Sequence, residues 1–187
     1  MGVMRSYALV FMLFASSVAM YSPTPREREA FEFLRTATTF ESPHVGFAGV
    51  YSRGYLALRI VNRSVAADAL FKRLIAEGSP AGQLYGLVGV YRTDPEYFRT
   101  VAPEFVAKRD SVSTMVGCIM GGEQVSEIVS ADHALVVRPG ETLADAAKRQ
   151  PHAITDISHG GYTVWYLAPD SNESEAKREE ARADFKH

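Results

Sequence analysis

The sequence predicts an α+β fold that is mainly α-helical, and two patterns carry this prediction. Apolar residues recur at helical spacing from residue 26 to about residue 108, and turn-forming residues divide this part into short helices. From Ser111 onward, apolar residues alternate with smaller or more polar ones, which is typical of a strand. We therefore expect helical hairpins around residues 26–108, followed by a small C-terminal β element.

The N-terminal segment has the features of a secretory signal peptide. Residues 1–6 carry one positive charge, Arg5, and residues 7–15 form an uninterrupted apolar run. Ser17-Val18-Ala19 supplies the small side chains that a signal peptidase pocket requires. A spanning helix needs about 20 apolar residues, so cleavage is favoured over an uncleaved anchor or a buried first helix. We expect a secreted or periplasmic protein, with anchoring by this segment as the alternative.

The remaining chain divides into a linker, one domain and a tail. We assign residues 20–25 to the linker, 26–170 to a single mainly helical domain and 171–187 to a charged tail. The tail has nine charged residues among positions 173–187 and little apolar face. Its pattern indicates a solvated, frayed helix.

The clearest helix runs from Ser64 to Gly78, where five apolar residues form one stripe. We expect Ser64 to cap its start and Gly78 to end it in the left-handed conformation. Ser79-Pro80 and Asp94-Pro95 are start signals for two further helices.

Shorter segments complete the expected elements. Residues 25–38 and 54–61 have helical patterns, whereas residues 44–51 mix glycine with apolar residues, as in a packed loop. The strand that begins near Val112 should end at a turn formed by Gly121-Gly122. Residues 133–138 and 162–168 also resemble strands.

Composition excludes several classes of function. Removal of residues 1–19 takes away Arg5 and no acid, so 19 basic and 22 acidic residues leave a net charge of −3. Nucleic acid is therefore not expected as a main partner, because phosphate binding needs clustered Lys and Arg. With Cys118 as the only cysteine, no internal disulfide can form. No cofactor motif is present in the sequence, and no cofactor is expected.

Gly82, Gly86 and Gly89 occur at i, i+4 and i+7 of one helix and therefore share a face. Each glycine costs roughly 0.5–1 kcal/mol relative to alanine in a helix interior, so something must offset three of them. With Tyr85, we interpret these residues as a packing or ligand face. Either another helix packs closely there, or a small molecule lies against the bare helix.

Two sets of residues are candidates for chemistry. Cys118 could act as a nucleophile beside a histidine, although its apolar surroundings favour a small buried hydrophobe. His152, Asp156 and His159 have the spacing of one helical face and could bind a metal. Pro151 and the nearby β-branched residues favour an extended loop instead.

The stretch from Ala69 through Ser79-Pro80-Ala81-Gly82 to Asp94, with Val116-Gly117-Cys118-Ile119, resembles small exported bacterial proteins of uncharacterised function. Residues 65–77 and 80–92 also resemble a HEAT-type helical hairpin. The resemblance implies a helical scaffold and no particular activity.

The sequence thus predicts an exported, non-enzymatic helical scaffold or binding protein whose partner is another protein or an envelope component. One alternative is an extracytoplasmic hydrolase that uses Cys118 or the group of His152, Asp156 and His159. A second alternative is a small-molecule carrier that uses the glycine-lined helix face.

Overall fold

The structure, a computed structural model, describes residues 21–129 and 173–185. The predicted signal peptide and the strand-like segments 133–138 and 162–168 lie outside the described residues. The described part is a mixed α+β fold, which confirms the predicted class. Its helices are α1 Pro25–Arg35, α2 Arg53–Asn62, α3 Ala67–Glu77, α4 Pro80–Thr93, α5 Pro95–Val106, α6 Val125–Ile128 and α7 Glu173–Arg182. Its strands are β1 Thr39–Val45, β2 Val50–Tyr51, β3 Ser111–Gly117 and β4 Ile119–Gln124.

The four strands form one sheet in the order β2-β1-β3-β4. Strand β1 pairs in parallel with β3, and the other two pairings are antiparallel. Half of the sheet therefore comes from the chain between α1 and α2, and the prediction of a β element confined to the C-terminal part is wrong. Strand β1 contains Pro43 and has Phe40 as its one large buried side chain, so its sequence has no clear apolar alternation.

The hairpin of β3 and β4 turns earlier than the sequence indicates. Val116 pairs with Ile119 across a loop of two residues, Gly117 and Cys118. The φ of Gly117 is 55°, and a positive φ at the first loop position is what a type II′ turn requires. Gly121 and Gly122, expected to form the turn, lie inside β4.

Side-chain caps fix the helix starts that the sequence marks. Ser79 accepts a hydrogen bond from the Gly82 amide at 3.1 Å, and Asp94 accepts one from the Tyr97 amide at 3.0 Å. These bonds satisfy amides that the first turn of a helix leaves without partners. Helices α4 and α5 therefore begin where the sequence predicts.

Helix α3 is bounded differently from the prediction. Its N-cap is Ala66 rather than Ser64, and no side chain caps it. Gly78 is extended, with φ −76°, and not left-handed. A side chain is excluded there for another reason, because a Cβ atom would lie 2.5 Å from the Leu74 carbonyl oxygen.

The core is one hydrophobic cluster shared by the helices and the sheet. Its largest fully buried side chains include Tyr85 and Leu84 of α4, Phe71 of α3 and Phe40 of β1. Burial of each such side chain contributes about 1.5–3 kcal/mol to folding. Helix α4 is therefore a central element of the packing.

The C-terminal tail is docked, and the prediction of a solvated, frayed helix is wrong. Ala176, Glu180 and Phe185 are all buried. The Glu180 carboxylate accepts hydrogen bonds from the guanidinium groups of Arg59 and Arg63 on α2 and its C-cap. Charged residues, and not an apolar stripe, thus hold α7 against α2.

Arg59 joins two carboxylates of the tail helix. Besides Glu180, it donates to Glu173, with 2.7 Å between the guanidinium nitrogen and the carboxylate oxygen. Burial alone would lower the pKa of Arg59, but the hydrogen bonds to Glu180 and Glu173 outweigh it and raise the pKa. The same hydrogen bond from Arg59 lowers the pKa of Glu173.

An aromatic contact fixes the end of the tail. The rings of Phe185 and Phe33 lie 5.6 Å apart, and the Arg26 guanidinium stands 4.6 Å above the Phe185 ring. The tail therefore contacts α1 as well as α2.

A capping box begins α1, with Thr24 and Glu27 bonding to each other's backbone amides. The Tyr21 hydroxyl donates to the Glu27 carboxylate at 2.6 Å. The hydrogen bond from Tyr21, together with those from Thr24, lowers the pKa of Glu27 to about 2.

We expect Glu180→Ala to release the tail helix. The variant removes the shared acceptor of Arg59 and Arg63, and loss of one partner of a buried ion pair typically costs about 3–5 kcal/mol. Hydrogen exchange of residues 173–185 should therefore accelerate. The matched control is Lys177→Ala, which removes an exposed pair with Glu173 and should change little. Unchanged exchange in Glu180→Ala would show that the ion pairs do not hold the helix.

We expect Glu27 to make stability depend on pH in acid. Its pKa is lowered in the folded state, so its contribution is complete above its ordinary value of 4.5 and is lost as the pH falls towards about 2. Glu27→Gln should lose stability at neutral pH and show a smaller further loss over this range. Urea unfolding at a series of pH values measures both, and identical pH profiles for the two proteins would contradict the assignment.

Candidate functional site

Two turns lie side by side at one end of the sheet. Residues 46–49 connect β1 to β2, and Gly117 and Cys118 connect β3 to β4. The Gly46 amide donates to the Gly117 carbonyl oxygen at 2.9 Å, which ties the turns together. Gly46, Gly49 and Gly117 all have positive φ, which favours glycine.

Large apolar side chains are exposed on and beside these turns. Phe47 is 100% exposed, Ile119 and Met120 are each 70% exposed, and Val50 is 57% exposed. We call these four residues the apolar tip. Phe47 lies in the segment for which the sequence indicates a packed loop, and that prediction is wrong. Ile119 and Met120 are successive residues of β4 and project from opposite faces of the sheet, so the apolar tip is one end of the sheet and not a single flat patch. Single exposed apolar residues are ordinary on protein surfaces, whereas several at one end of a sheet make that end a candidate interaction surface.

The apolar tip lies in a part of the protein without formal charge. Residues 42–52 and 111–122 contain no Asp, Glu, Lys or Arg, although 22% of the whole chain is charged. His44 lies in the first of these segments, and its ring packs at a tilt against the Tyr51 ring, with 4.4 Å between the centroids. A partner that covers these two segments therefore dehydrates no ionised side chain of theirs, and such dehydration is the expensive step in burial.

Cys118 belongs to the same end of the molecule. It is exposed in the hairpin loop, so the interpretation as a small buried hydrophobe is wrong. His44 is the one histidine among the described residues, and its ring packs against Tyr51 of β2, the strand on the side of β1 away from β3. The structure therefore does not show a nucleophile and base arranged at Cys118.

The metal candidates cannot be placed. His152, Asp156 and His159 lie outside the described residues. Within residues 21–129 and 173–185, no group of three or more His, Cys, Asp or Glu side chains could hold a metal ion.

Gly86 and Gly89 of the glycine row lie against α3. A Cβ atom on Gly86 would lie 2.9 Å from the Phe71 carbonyl oxygen and 2.9 Å from the Ile75 amide nitrogen. A Cβ atom on Gly89 would meet the Phe71 ring at 2.1 Å. The later glycine of α4 meets the earlier residue of α3, so the two helices run antiparallel. At these two positions the helices are too close for any side chain larger than hydrogen.

Gly82 lies against the end of α1, where a Cβ atom would lie 2.6 Å from the Leu34 carbonyl oxygen. Tyr85 is fully buried, and its hydroxyl accepts a hydrogen bond from the Glu41 amide of β1 at 2.9 Å. All four residues contribute to packing in this structure.

The cavity beside the glycine row is small. It is lined by Gly89 and Val88 of α4 with Tyr55 and Leu58 of α2, and its volume is about 10 Å³. Such a space holds about one water molecule, whereas ligand pockets have about 300 Å³ or more. The structure thus gives the small-molecule carrier no pocket along this face in the described part of the chain.

A larger groove of about 350 Å³ runs between α1, α2 and α7. Two arginines that line it contact the tail helix, since Arg26 donates to the Glu180 carbonyl oxygen and Arg63 to the Glu180 carboxylate. The groove is therefore the seam at which the tail docks.

Two features are not predicted from the sequence: the exposure of the apolar tip and the buried contact of Glu180 with Arg59. The apolar tip has a sequence signal, since Gly46-Phe47-Ala48-Gly49 is uncharged and has glycine at both ends. The contact of Glu180 with Arg59 has none, because 121 residues separate the partners.

Comparison with protein-family models, with curated proteins and with solved structures finds no match for this chain. In the described ranges, no helix has the length and apolar character needed to cross a membrane. Any account of function therefore depends on the geometry of this chain.

We expect Gly86→Leu to destabilise the domain by roughly 3 kcal/mol or more, because the side chain must push apart two helix backbones. Thermal or urea unfolding measures the change. Gly122→Leu is the matched control, since a Cβ atom on Gly122 meets nothing within 4 Å. If Gly86→Leu melted like the unmodified protein, the glycine face would be open and the ligand interpretation would regain support.

Proposed function

We propose that this chain is an exported, non-enzymatic protein that binds another protein or an envelope component through its apolar tip. The predicted signal peptide would direct export. The helical hairpins over residues 26–108, including the HEAT-like pair α3 and α4, would serve as the scaffold that holds the sheet. The one observation that carries the proposal is the exposure of Phe47 together with Val50, Ile119 and Met120.

The chemistry of the tip supports recognition of an apolar surface. Aromatic residues dominate the binding energy of many interfaces, and Phe47 is the most exposed large apolar residue described. Its complete burial by a partner would contribute about 1.5–3 kcal/mol. Val50 and Ile119 add aliphatic surface close to the same turns.

The arrangement of the tip supports binding with little loss of entropy. The hydrogen bond between Gly46 and Gly117 joins the two turns, and the strand pairing of Val45 with both Val50 and Gly117 continues the connection. Because these turns are already ordered in the free protein, they lose little conformational entropy when a partner binds.

The connection to the helices supports the role of scaffold. Tyr51 at the end of β2 stacks on Tyr55 of α2, with 5.9 Å between the ring centroids. Ser52 then caps α2 by accepting from the Tyr55 amide at 3.1 Å. The tip is thereby linked to the helical layer through a short, ordered segment.

We expect Phe47→Ser to weaken retention of the partner about tenfold or more, because the loss of a buried phenyl group removes roughly 2 kcal/mol. The full chain and its variants would be immobilised, exposed to extracytoplasmic extract and compared by quantitative identification of the retained components. Val65→Ser is the matched control, because Val65 is 89% exposed and lies beyond the opposite end of α2. If the two variants retained the same components equally, the apolar tip would not be the binding surface.

A further inference from the structure

Strand β4 forms an edge of the sheet within residues 21–129 and 173–185. Val116 and Ile119 close a two-residue hairpin loop and therefore exchange hydrogen bonds. Hydrogen-bonded and non-hydrogen-bonded pairs alternate along an antiparallel ladder, so the backbone groups of Met120 and Gly122 point away from β3. We call this outer backbone side of Met120, Gly121 and Gly122 the open edge.

Within residues 21–129 and 173–185, the open edge has none of the features that normally prevent strands from associating. Natural edges have Lys or Pro, a bulge, or a covering helix or loop. Residues 119–122 are Ile-Met-Gly-Gly, without charge or proline, and all four are exposed. The register of β3 with β4 runs without a bulge from Ser111 to Val116.

We infer that the open edge pairs with the open edge of a second copy of this chain, so that two four-stranded sheets form one continuous sheet. A two-fold axis perpendicular to the sheet makes the neighbouring strands antiparallel and keeps the same faces together. Side chains on the same face must oppose each other, so the axis passes at a residue and not between two residues. We place it at Gly121 or at Gly122, where no side chain meets its own copy. This inference goes beyond the proposed partner and does not depend on it.

The charges along β4 favour a second copy as the occupant. A two-fold interface brings a patch against itself, so a charge near the axis would oppose its own sign. No formal charge lies between residues 111 and 122, and the first one, Glu123, lies off the axis. In the two possible registers Glu123 faces Ile119 or Gly121 of the second copy, and the two glutamates do not meet.

The centre of the strand also suits close approach. Gly121 and Gly122 put no side chain at the axis, and a Cβ atom on Gly122 would meet nothing within 4 Å. With β4 at six residues, the pairing would have the ordinary length of a strand pair in a globular protein. Phe47 and Val50, at β1 and β2 on the far side of each sheet, would lie away from the new pairing and stay available to a partner, whereas Ile119 and Met120 would lie beside it.

The test compares two substitutions at one residue. Gly122→Pro removes the amide that points away from β3, and proline is tolerated at an edge because the ladder with β3 does not use that amide. Gly122→Ala keeps the amide and is the matched control. The full-length gene would be expressed, and the protein would be purified in whatever processed form the cells produce. Its molar mass in solution would be measured by sedimentation and light scattering over a range of concentrations up to its solubility limit.

We expect a dimer for the unmodified chain and for Gly122→Ala, and a folded monomer for Gly122→Pro, whose melting temperature no longer depends on protein concentration. A spin label on Cys118 should report a distance of about 20–30 Å in the dimer, from the offset along paired strands at ~3.4 Å per residue. If Gly122→Pro did not fold, Met120→Lys would replace it, with Val65→Lys as its control.

Three results would overturn the inference. They are a monomeric unmodified chain, a dimer that survives Gly122→Pro or Met120→Lys, and a label distance well outside the expected range. A monomer whose Met120 and Gly122 amides resist hydrogen exchange would show instead that this chain covers its own edge. Because Phe47 is not in β4, failure here leaves the result of the Phe47→Ser comparison standing, and the converse also holds.

Discussion

The close approach of α4 to its neighbours is the constraint on which the rest of the structure depends. Gly82 lets α4 contact the last carbonyls of α1, and Gly86 and Gly89 let it contact α3. The glycines weaken α4 as an isolated helix by a few kcal/mol in total. The close contact with two helices, and the burial of Leu84, Tyr85 and Leu87 around it, offset that loss.

Tyr85 transmits the position of α4 to the sheet. Its hydroxyl accepts from the Glu41 amide, and its ring packs on Phe40 with 4.9 Å between centroids. The same ring requires a glycine at position 54, because a Cβ atom there would lie 1.9 Å from the hydroxyl oxygen. The side chain of Tyr85 thus contacts both β1 and the start of α2. The turn at residues 46–49 follows directly after β1, the strand that these contacts hold.

The elements that depend on local signals could be predicted from the sequence. The helices α3 to α5 follow from apolar periodicity, and Ser79 and Asp94 mark the starts of α4 and α5 through bonds that span three residues. Strand β1 could not be predicted, because Pro43 and a single large apolar side chain give no alternation, and its pairing with β3 is long-range. The sequence places the turn between β3 and β4 at Gly121-Gly122, whereas the structure has it at Gly117 and Cys118. Both sites contain glycine, and only the long-range register of β4 with β3 distinguishes them.

Burial is the property that the sequence predicted least well for the candidate site. Phe47 and Cys118 have apolar neighbours in the chain and are exposed, whereas Glu180 lies in a charged run and is buried between two arginines. In each case the environment is decided by segments distant in sequence. The glycine row is covered by neighbouring helices. In the described part of the chain, the apolar side chains at the uncharged end of the sheet are exposed, so this end is the better candidate for a binding surface.

Site-specific photocrosslinking in cells that produce the full chain tests the central claim most directly. A photoreactive phenylalanine analogue would replace Phe47 in one variant and Val65 in another, both of which are highly exposed. The account predicts a discrete crosslinked partner from position 47 and none from position 65. A crosslink pattern that is the same from both positions, or a partner that appears from position 65 alone, would contradict recognition through the apolar tip.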